Sequence, residues 1–206
     1  MKVIVVTDPM CSWCWGMAPD IEQAASRMDG EVEFDFLLGG INTHASQFIG
    51  DYGARHLFRI WHEVAATTGQ SFGFRLPERL VYNSRLSCVA VHVVRRKFGT
   101  PPFGYLHRLQ QAFFMEARNI NDADVLADAA VDFGCEREAF LDALKDARLL
   151  EQVTDEFALS RGFGTNALPS VLWEVDGVRS LLAGGYADAE MLVELIEAKK
   201  SSLARA

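Results

Sequence analysis

Near its start the chain reads Lys2-Val3-Ile4-Val5-Val6, then Asp8-Pro9, then Cys11-Ser12-Trp13-Cys14. A short β-branched run of this kind packs on a pleated surface and reads as a buried strand. Proline has no N–H to give a sheet ladder, so the strand ends before Pro9. Trp15 to Met28 carries a helical pattern. Two thiols therefore fall where a strand ends and a helix begins. The free N–H groups and the dipole at a helix start favour negative charge, and the thiolate is the reactive form of cysteine. Residues three apart on a helix share a face, so Cys11 and Cys14 can close a small disulfide. Cys11 is expected at the exposed end, with Cys14 one turn deeper. The chemistry this predicts is thiol–disulfide exchange, in which Cys11 attacks, a mixed disulfide forms and Cys14 resolves it.

Four cysteines among 206 residues make a bare C-x-x-C a weak signal, and two other readings compete. One is half of a zinc site, which calls for four ligands. Neither a second C-x-x-C nor a spaced histidine pair lies near Cys88 or Cys135, and His56 and His62 are too far apart to share a helical turn. The other is an inert structural pair. His44, His92 and His107 are scattered and read as surface or core residues rather than ligands. No metal or organic cofactor is implied.

The whole chain narrows the classes further. Hydrophobic residues make up 50% of it, enough for a substantial core. The net charge is −8 and the largest basic cluster is Arg95-Arg96-Lys97, so nucleic acid and anionic membranes are not expected partners. No apolar run approaches the ~20 residues of a membrane span. The N-terminus lacks the pattern of a secretory leader, which predicts a cytoplasmic protein. In a reducing cytosol Cys88 and Cys135 are then expected as free, buried thiols.

Beyond the first helix, Glu31 to Phe36 alternates acid and apolar residues as a half-exposed strand would, with a solvated face at Glu31, Glu33 and Asp35. Leu37-Leu38 ends it and Gly39-Gly40 breaks it. Strand, helix and strand at this spacing imply a parallel pair with a right-handed crossover. Pro19 falls inside the helix and is expected to kink it. From Asn42 to Arg148 only helical periodicity recurs. Helices are expected over Ala54–Thr67, Ser84–Lys97, Phe103–Ala117, from a cap at Asn121 or Asp122 to Gly134, and over Arg137–Ala147. Another follows over Leu149–Arg161, stopped by Gly162. Ser170–Val175 and Val178–Ala183 then read as an antiparallel hairpin around Asp176-Gly177. Asp188 opens a last helix with Met191, Leu192, Leu195 and Ile196 on its apolar face.

Taken in order, β-α-β, a helical block and an α-β-β-α ending with C-x-x-C on the first helix resemble an α/β thioredoxin fold interrupted by an all-helical insertion. That is similar to the DsbA-like family of thiol–disulfide oxidoreductases. Asp8-Pro9-Met10-Cys11-Ser12-Trp13-Cys14 resembles the D-P-x-C-x-W-C start of its FrnE-like, protein-disulfide isomerase branch. Asn83 and Arg85 in Tyr82-Asn83-Ser84-Arg85, and Phe114 to Asp122, resemble that branch's helical block. Pro19 lies where the superfamily carries its helix-kinking proline, and Ala167-Leu168-Pro169-Ser170 where it places a cis-proline. The resemblance implies a thioredoxin-like domain of residues 1–42 and 149–206 and a helical insertion of 43–148. It implies Cys11 and Cys14 as the catalytic pair. It also implies that Leu168 and Pro169 dock an extended substrate by strand addition. Trp13, between the thiols, offers a substrate an apolar platform, and Trp15 is expected to pack inward.

One departure concerns the proton of Cys14. The superfamily often buries an acid in the first strand, and here that position is Val5. Asp8 is nearer and reads either as the proton acceptor or as a turn residue ahead of proline. Three functions remain. The first is an oxidoreductase or isomerase acting on protein or small-molecule thiols and disulfides. The second is a glutathione-dependent isomerase or transferase of the kappa or hydroxychromene carboxylate isomerase type, with glutathione as co-substrate. Those relatives keep a single serine at the first active position, which disfavours this reading. The third is a non-enzymatic redox-sensing binding protein. Oligomeric state and the direction of electron flow are not legible in the sequence.

Overall fold

The computed structural model describes residues 1–204. The last two positions of the segment expected to run to 206 lie outside the described residues. Four strands and eight helices follow one another as β1 (Lys2–Thr7), α1 (Ser12–Arg27), β2 (Glu33–Leu38), α2 (Asp51–Thr68), α3 (Arg85–Phe98), α4 (Phe103–Phe114), α5 (Ala123–Asp132), α6 (Arg137–Ala143), α7 (Ala147–Ser160), β3 (Ser170–Val175), β4 (Val178–Gly184) and α8 (Ala189–Leu203).

The strands form one sheet in the order β2-β1-β3-β4. β1 runs parallel to β2 and antiparallel to β3, and β3 pairs antiparallel with β4. Asp176 and Gly177 both have positive φ (49° and 78°), as the tight turn between twisted strands requires. β1 is central and covered on both faces, which explains its unbroken apolar run. Val3 and Val5 face the large core, whereas Ile4 and Val6 pack with Leu37 and Leu172 in a smaller cluster on the other face.

Helix α1 lies over the large core with Pro19 inside it. Its glycine at position 16 lets α2 approach, since a Cβ there would stand 2.5 Å from Val64 Cγ1. Asp20 ties α1 to the end of the chain, accepting from the Tyr186 hydroxyl at 3.1 Å and from the Ala189 N–H at 3.0 Å.

The structure corrects several expected bounds. β2 starts at Glu33 rather than Glu31. Glu31 instead pairs with Lys200, and Lys2 reaches Glu33 and Asp35 at 3.5 and 3.6 Å, so the acidic face is partly neutralised. Helix α4 stops at Phe114, short of Ala117, because Ala117 turns left-handed (φ 54°) and the Arg118 N–H closes onto Ala112 O at 2.8 Å. Helix α6 ends at Ala143, because Asp146 leaves helical geometry to cap α7 through the Arg148 N–H. In α8 the buried face is Ala189, Leu192, Val193 and Ile196, while Met191 is 51% exposed.

Candidate redox site

The site is built around the start of α1. Cys11 is the N-cap residue, with extended backbone (φ −82°, ψ 113°). Its Sγ accepts the Cys14 N–H at 3.2 Å, so a sulfur does what a serine or aspartate oxygen commonly does at this position. All four cysteines are free thiols. Cys11 is 5% exposed and Cys14 4%, so Cys11 does not stand at an exposed end as expected. The reason is the cap itself: the sulfur turns back onto its own helix, and the segment before it is held from within. Met10 is fully buried, and its carbonyl accepts the Tyr82 hydroxyl at 2.7 Å. Burial, and then the Cys11 sulfur beside it, push the Cys14 thiol well above its usual range, with the Thr7 hydroxyl pulling the other way.

Asp8 is the hub of the preceding loop. One carboxylate oxygen accepts the Met10 N–H at 2.8 Å, which is the turn role foreseen for it. The other accepts from Ser84 Oγ (2.6 Å), the Ile41 N–H (3.0 Å) and Cys88 Sγ (3.6 Å). The Asp8 carbonyl takes the Cys11 N–H at 3.2 Å and Gln110 Nε2 at 3.3 Å. The residue has no exposure at all, and burial raises its carboxyl above the ordinary range despite these donors. Ser84, Tyr82, Ile41 and Gln110 carried no signal for this role in the sequence. Their contribution depends on α4, the segment leading into α3 and the turn after β2 meeting at the loop.

The Leu168–Pro169 peptide bond is cis. Pro169 and Cys14 line one cavity, together with Val5, Thr7 and His107. Leu168 is half-buried beside Gly39, where an added Cβ would meet its side chain at 2.7 Å. Among the described residues the backbone N–H and C=O of Leu168 have no hydrogen-bond partner. Trp13 is half-buried, with its ring centroid 6.0 Å from that of Tyr186. Trp15 packs inward, 4% exposed, and its Nε1 donates to Ser71 O at 2.9 Å. Among the described residues no group of three or more His, Cys, Asp or Glu is placed to hold a metal ion, and no helix is long and apolar enough to cross a membrane.

Comparison with known proteins agrees with this geometry. A family model described as "DSBA-like thioredoxin domain" matches residues 2–197. A candidate protein disulfide isomerase from Nitrosomonas europaea superposes with a TM-score of 0.88 at 27% identity, over 98% of both chains. The cytosolic disulfide reductase DsbM from Pseudomonas aeruginosa superposes with a TM-score of 0.76 at 24% identity over 100% of both chains, a likeness of fold, and has also been solved with GSH. In sequence the chain is 25% identical over 147 residues to the ClpXP adapter protein SpxH of Bacillus subtilis (strain 168). That match takes in 68% of this chain and 47% of the adapter, so it spans under half of the curated relative's length.

Proposed function

Given that this chain belongs to the DSBA-like thioredoxin domain family, we propose that it is a thiol–disulfide oxidoreductase whose working pair is Cys11 and Cys14. The observation that carries the reading is the capping geometry. Two free thiols lie within one helical turn, and the first sulfur already accepts the N–H of the second. A thiolate at Cys11 would keep that bond and gain from the helix dipole. Cys11 attacks one sulfur of a substrate disulfide, the S–S bond breaks and the other sulfur leaves as a thiolate. Cys14 then gives up its proton and attacks Cys11 Sγ. The second substrate sulfur leaves, and the Cys11–Cys14 disulfide holds the two electrons' worth of oxidation. Run backwards, the same steps oxidise a dithiol.

Substrates are protein or small-molecule disulfides. Leu168, with its unpartnered backbone, docks an extended segment by strand addition beside Pro169, and the half-buried Trp13 gives it an apolar edge. A cytoplasmic setting is in keeping with the cytosolic reductase among the similar structures. Glutathione is a natural small thiol for the same exchange, and its reduced form, GSH, accompanies that reductase in one of its structures.

The test is a Cys14→Ser protein, which should accumulate a covalent adduct on Cys11 when given a disulfide, visible by nonreducing electrophoresis and intact mass. Wild-type protein should reduce insulin, and each cysteine variant should not. An absent adduct together with absent turnover overturns the reading. The adapter match supports a second reading, a redox-sensing binding protein. Partner binding that survives Cys11→Ala and Cys14→Ala, without any turnover by the wild type, would favour it.

A further inference from the structure

Resting on that reading, we propose that His107 receives the proton that Cys14 must shed, through the cavity the two side chains share. Resolution of the mixed disulfide needs Cys14 as a thiolate, yet this thiol is 4% exposed. Its proton cannot pass directly to bulk water. Val5, in the strand beside it, has no group to accept it. Both oxygens of Asp8 are occupied by Met10, Ile41, Ser84 and Cys88, and none of its bonds is to Cys14.

The cavity offers another route. It has a volume of ≈ 50 Å³ and is lined by Thr7, Cys14, Glu22, His107 and Gln110 among apolar neighbours. That is room for on the order of one to three waters, with enough polar partners to hold them. His107 comes from α4, its ring tilted 47° to that of Trp15 with centroids 4.9 Å apart. Its Nδ1 is buried and takes no hydrogen bond from any described residue. Its Nε2 is not sealed in this way and also has no hydrogen-bond partner among the described residues, which leaves it as the nitrogen able to accept a proton through water. Glu22, exposed on α1, stands at the same cavity and leads onward to solvent. Burial and the neighbouring Cys11 hold the proton on Cys14 until such an acceptor takes it.

Other charges near the route are accounted for. Arg108, beside His107 in the chain, is engaged by Glu116 at 2.8 and 3.1 Å. Asp8 and the Tyr82 phenol face the cysteines from the loop side, and the Pro169 segment contributes no titratable group to the cavity. In the step itself the Cys14 S–H bond breaks, and its proton passes through water to the imidazole, which becomes imidazolium. The sulfur's electron pair forms the bond to Cys11 Sγ, and the substrate sulfur leaves with the pair of the broken S–S bond. The imidazolium then returns its proton to solvent past Glu22.

The experiment is a single turnover of reduced protein with 5,5′-dithiobis(2-nitrobenzoate), counting each thionitrobenzoate released by absorbance. Wild type should release two in succession, the first on attack by Cys11 and the second on attack by Cys14. Cys14→Ser should release one. In His107→Gln the second release should slow by about 100-fold. It should also lose the wild-type pH profile, since the group that takes the proton is gone. In His107→Ala, added imidazole should restore it. A second release at the wild-type rate overturns the proposal. So does a slowed release that keeps the wild-type pH profile and ignores imidazole, since that is the mark of disturbed packing. Failure of Cys14→Ser to release even one overturns the oxidoreductase reading itself, which is a different result.

Discussion

Asp8 brings four donors onto a carboxylate that water does not reach: the N–H groups of Met10 and Ile41, the Ser84 hydroxyl and the Cys88 thiol. These bonds favour the charged form and burial opposes it. Burial prevails, and the carboxyl sits above its ordinary value of 3.8. The folded protein thus binds this proton more tightly than the unfolded chain does. Its stabilising effect is complete below the unfolded value and is lost as pH rises through the folded one. The unfolding free energy of wild type relative to Asp8→Asn should therefore fall as pH is raised from about 4 and flatten above the folded value. Urea unfolding of both proteins between pH 4 and pH 8 measures this, and a pH-independent difference would contradict it. At this scale the sequence exposed the paired thiols at the helix start, and of the two readings it left open for Asp8 the turn role matches its bond to the Met10 N–H. It misplaced the exposure of Cys11, because a cap sulfur is oriented by the N–H it accepts.

Between elements, Glu156 on α7 ties helices to the sheet. It is 8% exposed, accepts the Leu38 N–H of β2 at 2.8 Å and meets Arg95 Nη1 of α3 at 2.9 Å. His92 lies 3.7 Å away. Arg95 also donates to Phe36 O at 2.9 Å, so one cluster joins α3 and α7 to the sheet edge. Burial pushes the Glu156 carboxyl up, but His92, Arg95 and the Leu38 N–H outweigh it and hold it below its ordinary value of 4.5. A depressed carboxyl contributes stability above the unfolded value and loses it as pH falls through the folded one. Glu156→Gln should cost up to about 3 kcal/mol at pH 7, the low edge for unpairing a buried charge because Arg95 keeps some contact with water. The gap to wild type should narrow on acidification below about 4.5, and urea unfolding at pH 7 and pH 4 would show both effects. The elements were readable wherever periodicity and punctuation agreed. Asp122 and Asp188 cap α5 and α8 as their residue type suggests, whereas the Ser84 hydroxyl is turned to Asp8 and caps nothing. The early ends of α4 and α6 were not readable, because Ala117 turns left-handed with no glycine to mark it and Asp146 caps the next helix where the helical pattern runs on unbroken.

At the scale of the molecule, one core runs from the sheet into the helical block. Val3, Val5, Val171 and Trp173 of the strands belong to the same cluster as Trp61, Val91, Phe113 and Phe157. A sheet face and a helical block that share a core cannot expose it separately without losing apolar burial on both sides. Thermal or urea unfolding of the intact chain should therefore be a single transition, with tryptophan fluorescence and far-ultraviolet circular dichroism coinciding. Two separated transitions would mean that residues 43–148 fold as an independent unit.

What the sequence determined alone is local in its physics. A β-branched run broken by proline, a cysteine pair at helical spacing, glycine stops and acidic caps each act within a few residues. Together they specify the order of elements and the position of the thiols. Only the tertiary structure decided how those thiols are housed. Tyr82 and Ser84 reach the Cys11 loop from the N-terminal end of α3, Gln110 and His107 from α4, and Ile41 from the turn after β2. Asp8 is enclosed by partners 33 to 102 positions away. Desolvation depends on what surrounds a group in space, and no short-range pattern records it.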